Sequence, residues 1–150
     1  MSDSVRIFHV ESDPDFERAF PVMVQLRPHL TPETFRVRVR QQAMQGYRLA
    51  ALESGGAIRS LAGYRLLDYL WVGRAMYVDD LVTDAAARSR GHGERLFAWL
   101  KETAAADGCL ELHLDSAVHR KDAHRFYFRE RMHVLGFHFV LPLRPSSVNS

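Results

Sequence analysis

The sequence predicts an α/β domain with a mixed, mostly antiparallel central sheet flanked by helices. Three observations carry that reading. Two helix-type segments follow one short strand-like segment near the N-terminus, an SGG turn joins two apolar segments, and beyond Tyr77 strand-type and helix-type patterns alternate. At 150 residues and 47% hydrophobic, the chain has the size and apolar content of one globular domain with a sizeable core. That domain is expected to span residues 1–143, with RPSSVNS, residues 144–150, as a flexible tail.

In order, VRIFHV reads as the first strand. SDPDFERAFPVMVQL follows as a helix opened by Ser12 or Asp13 with Pro14 at its first position, and Pro21 is placed to kink or divide it. A second helix is expected from Thr31 through Met44, with Thr31 as N-cap and Pro32 behind it, although the alternation in FRVRVR also fits a strand. YRLAALE and AIRSLAGYRLL flank SGG with the spacing of a β-hairpin. A further turn at residues 71–73 leads into AMYVDDLVT, where a period of two places Tyr77, Asp79, Leu81 and Thr83 on one face and Met76, Val78, Asp80 and Val82 on the other. A helix from about Gly93 to Asp107 carries Leu96, Trp99, Leu100, Thr103 and Ala104 as one stripe and closes at Gly108. CLELHLD alternates with Leu110, Leu112 and Leu114 on its apolar face, a helix runs through KDAHRFYFRE, and FHFVL reads as a last strand.

Composition narrows the function. Twenty basic against 18 acidic residues leave a net charge of +2, too small to point to nucleic acid, so any anion site must be local. One cysteine rules out an internal disulfide framework and suits a reducing compartment. The opening residues lack the pattern of a signal peptide and no apolar run reaches membrane-spanning length, so a soluble, cytoplasmic protein is expected. The basic, aromatic run HRKDAHRFYFRER fits single-stranded nucleic acid less well than a solvated helix face or contacts to coenzyme phosphates. His113, Asp115, His119 and His124 match no standard ligand spacing, so no metal is expected, and Cys109 has no activating neighbour in sequence.

The stretch ARSRGHGERLFAWL is the informative one. Interior glycines weaken helices by roughly 1 kcal/mol each, and arginines at a helix N-terminus oppose its dipole. Both features make sense if the open amides there take a polyanion, with glycine allowing close approach; the alternative is a plain strand-to-helix turn with surface arginines. No Lys-Ser or Lys-Thr follows, which excludes a P-loop, and the third glycine of a dinucleotide fingerprint is missing. The segment resembles the acetyl-CoA signature of the GNAT superfamily of N-acetyltransferases, Arg or Gln, two residues, Gly, one residue, Gly or Ala, read here as Arg88-Ser89-Arg90-Gly91-His92-Gly93. YVDDLVT precedes it as that family's central strand does, and DAHRFYFRERM follows where the family has its Ala-x-x-Phe-Tyr helix, so the resemblance covers residues 77–139.

The resemblance implies direct transfer of an acetyl group from acetyl-CoA to a primary amine of a small molecule or peptide. It implies that amides of Arg88, Ser89, Arg90, Gly91, His92, Gly93 and Glu94 take the pyrophosphate, and that Leu81, Val82 and Thr83 bond the pantetheine arm through their main chain. Arg120 and Phe126 fall on the cofactor side of the same pattern. Tyr127 matches the usual general acid, although its helical spacing also suits a core aromatic. The substrate ammonium needs a base, and Asp79 and Asp80 are the candidates; alternation sends only one of them to the acetyl group, and Asp80 is slightly favoured. Residues 22–35 and 67–74, Asp68, Tyr69 and Trp71 among them, are expected to shape the acceptor cleft. Two departures stand out: Arg120 replaces the family's asparagine, and Arg131-Met132 replaces Gly-Phe. Without glycine at Arg131 a left-handed cap is disfavoured, so the helix is expected to extend or to turn at Gly136. A non-catalytic acyl-CoA-binding module on the same fold is the alternative reading. Dimers are common in the family.

Overall fold

The computed structural model describes residues 4–144, so all but the first residue of the expected tail lies outside it. Residues up to His113 form one compact unit and those from Leu114 a second. The first unit holds β1 (Val5–His9), α1 (Asp13–Leu26), α2 (Pro32–Ala43), β2 (Arg48–Ser54), β3 (Ala57–Tyr69), β4 (Gly73–Thr83), a single 3-10 turn (Ala85–Ala87) and α3 (His92–Ala106). β5 (Glu111–Leu114) straddles the boundary, and α4 (Lys121–Arg129) belongs to the second unit.

The local chemistry explains the elements. Ser12 and Thr31 cap α1 and α2 through side-chain oxygens, each with proline in the first turn, and Thr34 completes a reciprocal capping box with Thr31. The helical reading of FRVRVR therefore prevails over the strand reading, because Phe35 and Val39 share the buried face. Pro21 lies inside α1 without dividing it. Gly55 and Gly56, both at positive φ, turn β2 into β3.

The sheet runs in the order β1-β2-β3-β4-β5, and the first three pairings are antiparallel. Leu49 and Ala51 of β2 join Phe16, Ala19, Met23 and Phe35 in the core under α1 and α2. Ala50 and Leu52 are equally buried but outside that cluster, and α3 buries Leu96, Phe97, Leu100 and Ala104, so both faces of the sheet are covered.

Several expectations are corrected. FHFVL is not a strand: residues 133–144 have no regular structure, and Phe137, Phe139 and Leu141 are exposed. Leu110, expected on the apolar face of CLELHLD, is exposed, and β5 starts only at Glu111. α4 ends at Arg129, and Arg131 adopts the left-handed conformation (φ 67°) without being glycine. Arg131 N–H donates to Phe128 O and Met132 N–H to Tyr127 O, both at 3.0 Å, a Schellman closure. Two hydrogen bonds offset the cost of φ > 0, so the helix neither extends nor waits for Gly136.

Candidate active site

β4 carries the first part of the site, and its register is the decisive feature. Gly63 of β3 pairs with Asp80 and Tyr64 with Val78, which leaves Asp79 as the extra residue of a β-bulge. Alternation is broken there. Asp79 and Asp80 consequently line the same cavity, not opposite faces as the period of two predicts. The cavity, of about 330 Å³, lies between β4 and the α1–α2 pair, with Met23, Leu30, Phe35 and Val39 as its apolar wall.

Each carboxylate has its own partners. Arg27 donates to Asp80 Oδ1 (2.9 Å) and Tyr47 Oη to Asp80 Oδ2 (2.7 Å), while Arg65 Nε donates to Asp79 Oδ2 (3.0 Å). Arg27 also reaches the Asp79 carbonyl (3.1 Å). Burial pushes the Asp79 carboxyl above its ordinary value, against the pull of Arg65. Burial, reinforced by Asp80, raises the Tyr47 phenol well above its own, so it stays a donor. Tyr47 reaches Asp80 across Gly63, where any Cβ would overlap its ring.

The residues expected to shape the acceptor cleft divide between this cavity and the β3–β4 turn. Met23, Arg27, Leu30 and Phe35 of residues 22–35 line the cavity, whereas Asp68, Tyr69 and Trp71 do not. Asp68 instead pairs with Arg74 (3.1 Å), and the Tyr69 and Trp71 rings pack together at the β3–β4 turn. Sequence reasoning missed Tyr47, Arg65, Arg38 and Gln42. One available signal was Gly63, an isolated glycine inside a strand pattern, which marks a bulge or a close approach and here marks both.

β4 continues through Leu81, Val82 and Thr83 to the second part of the site. Ser60, fully buried, donates to Val82 O (2.9 Å) and meets Thr83 Oγ1 (3.1 Å), which fixes the strand end. Asp84 caps the 3-10 turn through Ala86 N–H (3.1 Å), and Gln25 of α1 bonds both Asp84 Oδ1 and Ala85 N–H. The chain then passes through Ser89 and Gly91, both left-handed (φ 66° and 78°), into α3. Unlike α1 and α2, α3 has no side-chain cap, and its first intrahelical bond is Arg95 N–H to Gly91 O (3.0 Å). The amides of His92, Gly93 and Glu94 thus precede any intrahelical acceptor. A Cβ on Gly93 would come within 2.9 Å of Thr83 Oγ1, so glycine is what lets the helix start lie this close to the strand end. Arg90 and Arg95 line a shallow cavity of about 260 Å³ beside Gly91 and His92. Among the described residues Arg88, Arg90 and Arg95 have no carboxylate partner. The Gly93 and Glu94 amides at a positive helix end, with arginines that have no carboxylate partner around them, suit a phosphate-bearing group.

The second unit carries Tyr127 on α4, 9% exposed. Burial raises its phenol above the ordinary value, opposed by the charge of Arg120 and by a hydrogen bond from that guanidinium. Arg120, expected on the cofactor side, thus lies within electrostatic reach of the Tyr127 phenol. The Phe126 ring meets the Tyr127 ring edge-on at 5.9 Å. Among the described residues no cluster of His, Cys, Asp or Glu could hold a metal.

A model of the "Acetyltransferase (GNAT) family" matches residues 11–133. The chain belongs to the GNAT acetyltransferase family. It is a GNAT N-acetyltransferase, moving an acetyl group from acetyl-CoA to an amine. An uncharacterized N-acetyltransferase of Bacillus subtilis, YhdJ, is 33% identical over 124 residues, covering 82% of this chain and 87% of that protein. Glucosamine 6-phosphate N-acetyltransferase 1 of Oryza sativa is 37% identical over 91 residues (57% and 55%), and the aminoalkylphosphonate N-acetyltransferase of Salmonella typhimurium 34% over 100 residues (65% and 62%). The GNAT fold is also that of the aminoglycoside N-acetyltransferase AAC(6')-Iy, solved with coenzyme A, at a TM-score of 0.82 and 12% identity over 97% of this chain and 98% of that one.

Proposed function

We propose that this GNAT enzyme acetylates a small-molecule or peptide amine held in the cavity of Asp79 and Asp80, and that residues 1–143 act as a single acetyltransferase domain. The observation that carries this reading is the bulge at Asp79, which turns both carboxylates into a cavity on the strand that continues into Leu81, Val82 and Thr83. A family match that crosses from the first compact unit into the second supports the single-domain reading.

Acetyl-CoA supplies the activated acetyl group. The amides of His92, Gly93 and Glu94, with Arg88, Ser89, Arg90 and Gly91 around them, hold its phosphates, because α3 has no side-chain cap and the arginines beside it have no carboxylate partner. Main-chain groups of Leu81, Val82 and Thr83 hold its arm. Asp79 takes the proton from the acceptor's ammonium, directly or through water, since an ammonium has no lone pair with which to attack. Burial favours that role by bringing the carboxyl closer to neutral pH. Asp80, bound by Arg27 and Tyr47, orients the wall of the cavity. Tyr127, kept protonated by burial, donates to the departing thiolate.

Two further elements of the reading concern partners and location. No described helix is long and apolar enough to cross a membrane, in keeping with a cytoplasmic enzyme. Exposed Val134, Leu135, Phe137 and Phe139 offer apolar surface for a second copy, and light scattering at micromolar protein tests for the dimer.

The first experiment is a calorimetric titration with acetyl-CoA, repeated on Arg90→Glu, which reverses the charge without touching a residue at positive φ. Binding that weakens at least tenfold in the variant, with free coenzyme A released when an amine is added, is the expected result. No binding by the unaltered protein would sink the reading, and binding without transfer to any amine would leave a sensing module.

A further inference from the structure

We infer that the acceptor carries an anionic group, a phosphonate, phosphate or carboxylate, besides its amine, and that Arg38 at the cavity mouth takes it up beside His29. The inference rests on reading this cavity as the acceptor site.

The charges lining the cavity are unevenly distributed. Asp79 is tied to Arg65 and Asp80 to Arg27, so these two acids and two of the arginines neutralise one another in pairs. A third arginine then remains. Arg38 projects from α2, exposed at the cavity, with its Nη1 3.5 Å from His29 Nε2 and no carboxylate partner among the described residues. His29 comes from the loop between α1 and α2, so two elements bring nitrogen groups to one side of the mouth.

This arrangement selects among amines. A cavity whose acids are already paired and whose remaining charge is positive repels a second ammonium, so a diamine is a poor fit. An amine that brings its own anion places a negative group on the free guanidinium, which offers paired donors in the geometry that carboxylates and phosphorus oxyanions accept. Its other end is then free to meet the aspartates. The volume, about 330 Å³, sits at the small end of ligand cavities and suits a compact molecule.

The test uses the full chain saturated with coenzyme A, titrated with 2-aminoethylphosphonate, phosphoethanolamine, β-alanine, ethylamine and 1,3-diaminopropane. At least one of the three anionic amines is expected to bind about tenfold or more tighter than ethylamine, and their ranking identifies the anion. Arg38→Gln should bring anionic and neutral amines within about twofold, whereas Arg36→Gln, a charge control on the same helix, keeps the difference. In turnover the Arg38 change should appear as a raised KM for the anionic amine. Ethylamine or the diamine binding as well as all three anionic amines would overturn the inference, as would discrimination that survives Arg38→Gln. The wider reading fails separately, by loss of acetyl-CoA binding or of coenzyme A release with every amine.

Discussion

Asp79 and Asp80 are neighbours in sequence with different environments. Asp80 is engaged by Arg27 and by the Tyr47 hydroxyl, whereas Asp79 has the single side-chain partner Arg65 and a carboxyl that burial pushes upward. A base needs a free lone pair and a pKa nearer the working pH, so the proposed role goes to Asp79, although the sequence alone leans to Asp80. Asp79→Asn should lower kcat about a hundredfold or more. Because its pKa is raised, activity should be full only above the raised value and fall as pH drops through a midpoint higher than a free aspartate's. A kcat/KM profile checks this, and an acid limb unchanged in Asp79→Asn would remove Asp79 as the base. For Tyr127 the raised phenol keeps the proton at neutral pH, so Tyr127→Phe should lower turnover about a hundredfold. Calorimetry should find acetyl-CoA affinity little changed. Tyr127 is singled out by the Phe-Tyr pair already in the sequence. Tyr47 is not, because its role depends on a strand register that no local pattern encodes.

Among the elements, the β3–β4 pair is where periodicity fails and the site begins. Gly63 gives the Tyr47 ring room over the strand, and the bulge opposite it redirects Asp79. Gly63→Ala should therefore destabilise the fold by about 1–3 kcal/mol through overpacking, read as a lower urea midpoint. If Tyr47 instead moves off Asp80, the activity profile changes as well. On the opposite edge, Glu53 of β2 ties Arg6 of β1 and Arg18 of α1 together. The hydrogen bond from Arg18 comes first among the causes that hold Glu53 below its ordinary value, so its contribution is present above the unfolded glutamate range and is lost as pH falls through the folded value. Acid unfolding of Glu53→Gln should show a smaller loss of stability over that interval than the native chain. The helices were legible because caps, prolines and stripes are local. FHFVL was misread because alternation marks a segment able to be a strand, while pairing depends on a neighbour that alternation does not specify.

For the molecule as a whole, element order and family signature point to the sheet and to the proposed place of the cofactor, since glycines and arginines at a helix start have a meaning independent of the rest of the chain. The cavity proposed for the acceptor is less legible: its walls come from α1, the α1–α2 loop, α2, Tyr47 before β2, β3 and β4, and its charge balance exists only once those segments meet. The ligand-free chain accordingly keeps two costs unrelieved, an uncapped α3 and arginines gathered at its positive end. On the proposed reading acetyl-CoA relieves both by binding the folded state alone, so it should raise global stability by mass action. At a hundred times its dissociation constant the gain is about 2.7 kcal/mol, or about 5–10 °C in Tm for a chain of this size. Thermal unfolding with and without acetyl-CoA measures it. The shift should shrink as salt screens the arginines and should largely vanish in Arg90→Glu. Arg90→Glu alone should melt no lower than the native protein, because an acid at a helix N-terminus suits the dipole better than the arginine it replaces. A variant that melts well below the native chain without ligand would mean that Arg90 supports the fold, and its lost shift could then not be assigned to the phosphate site.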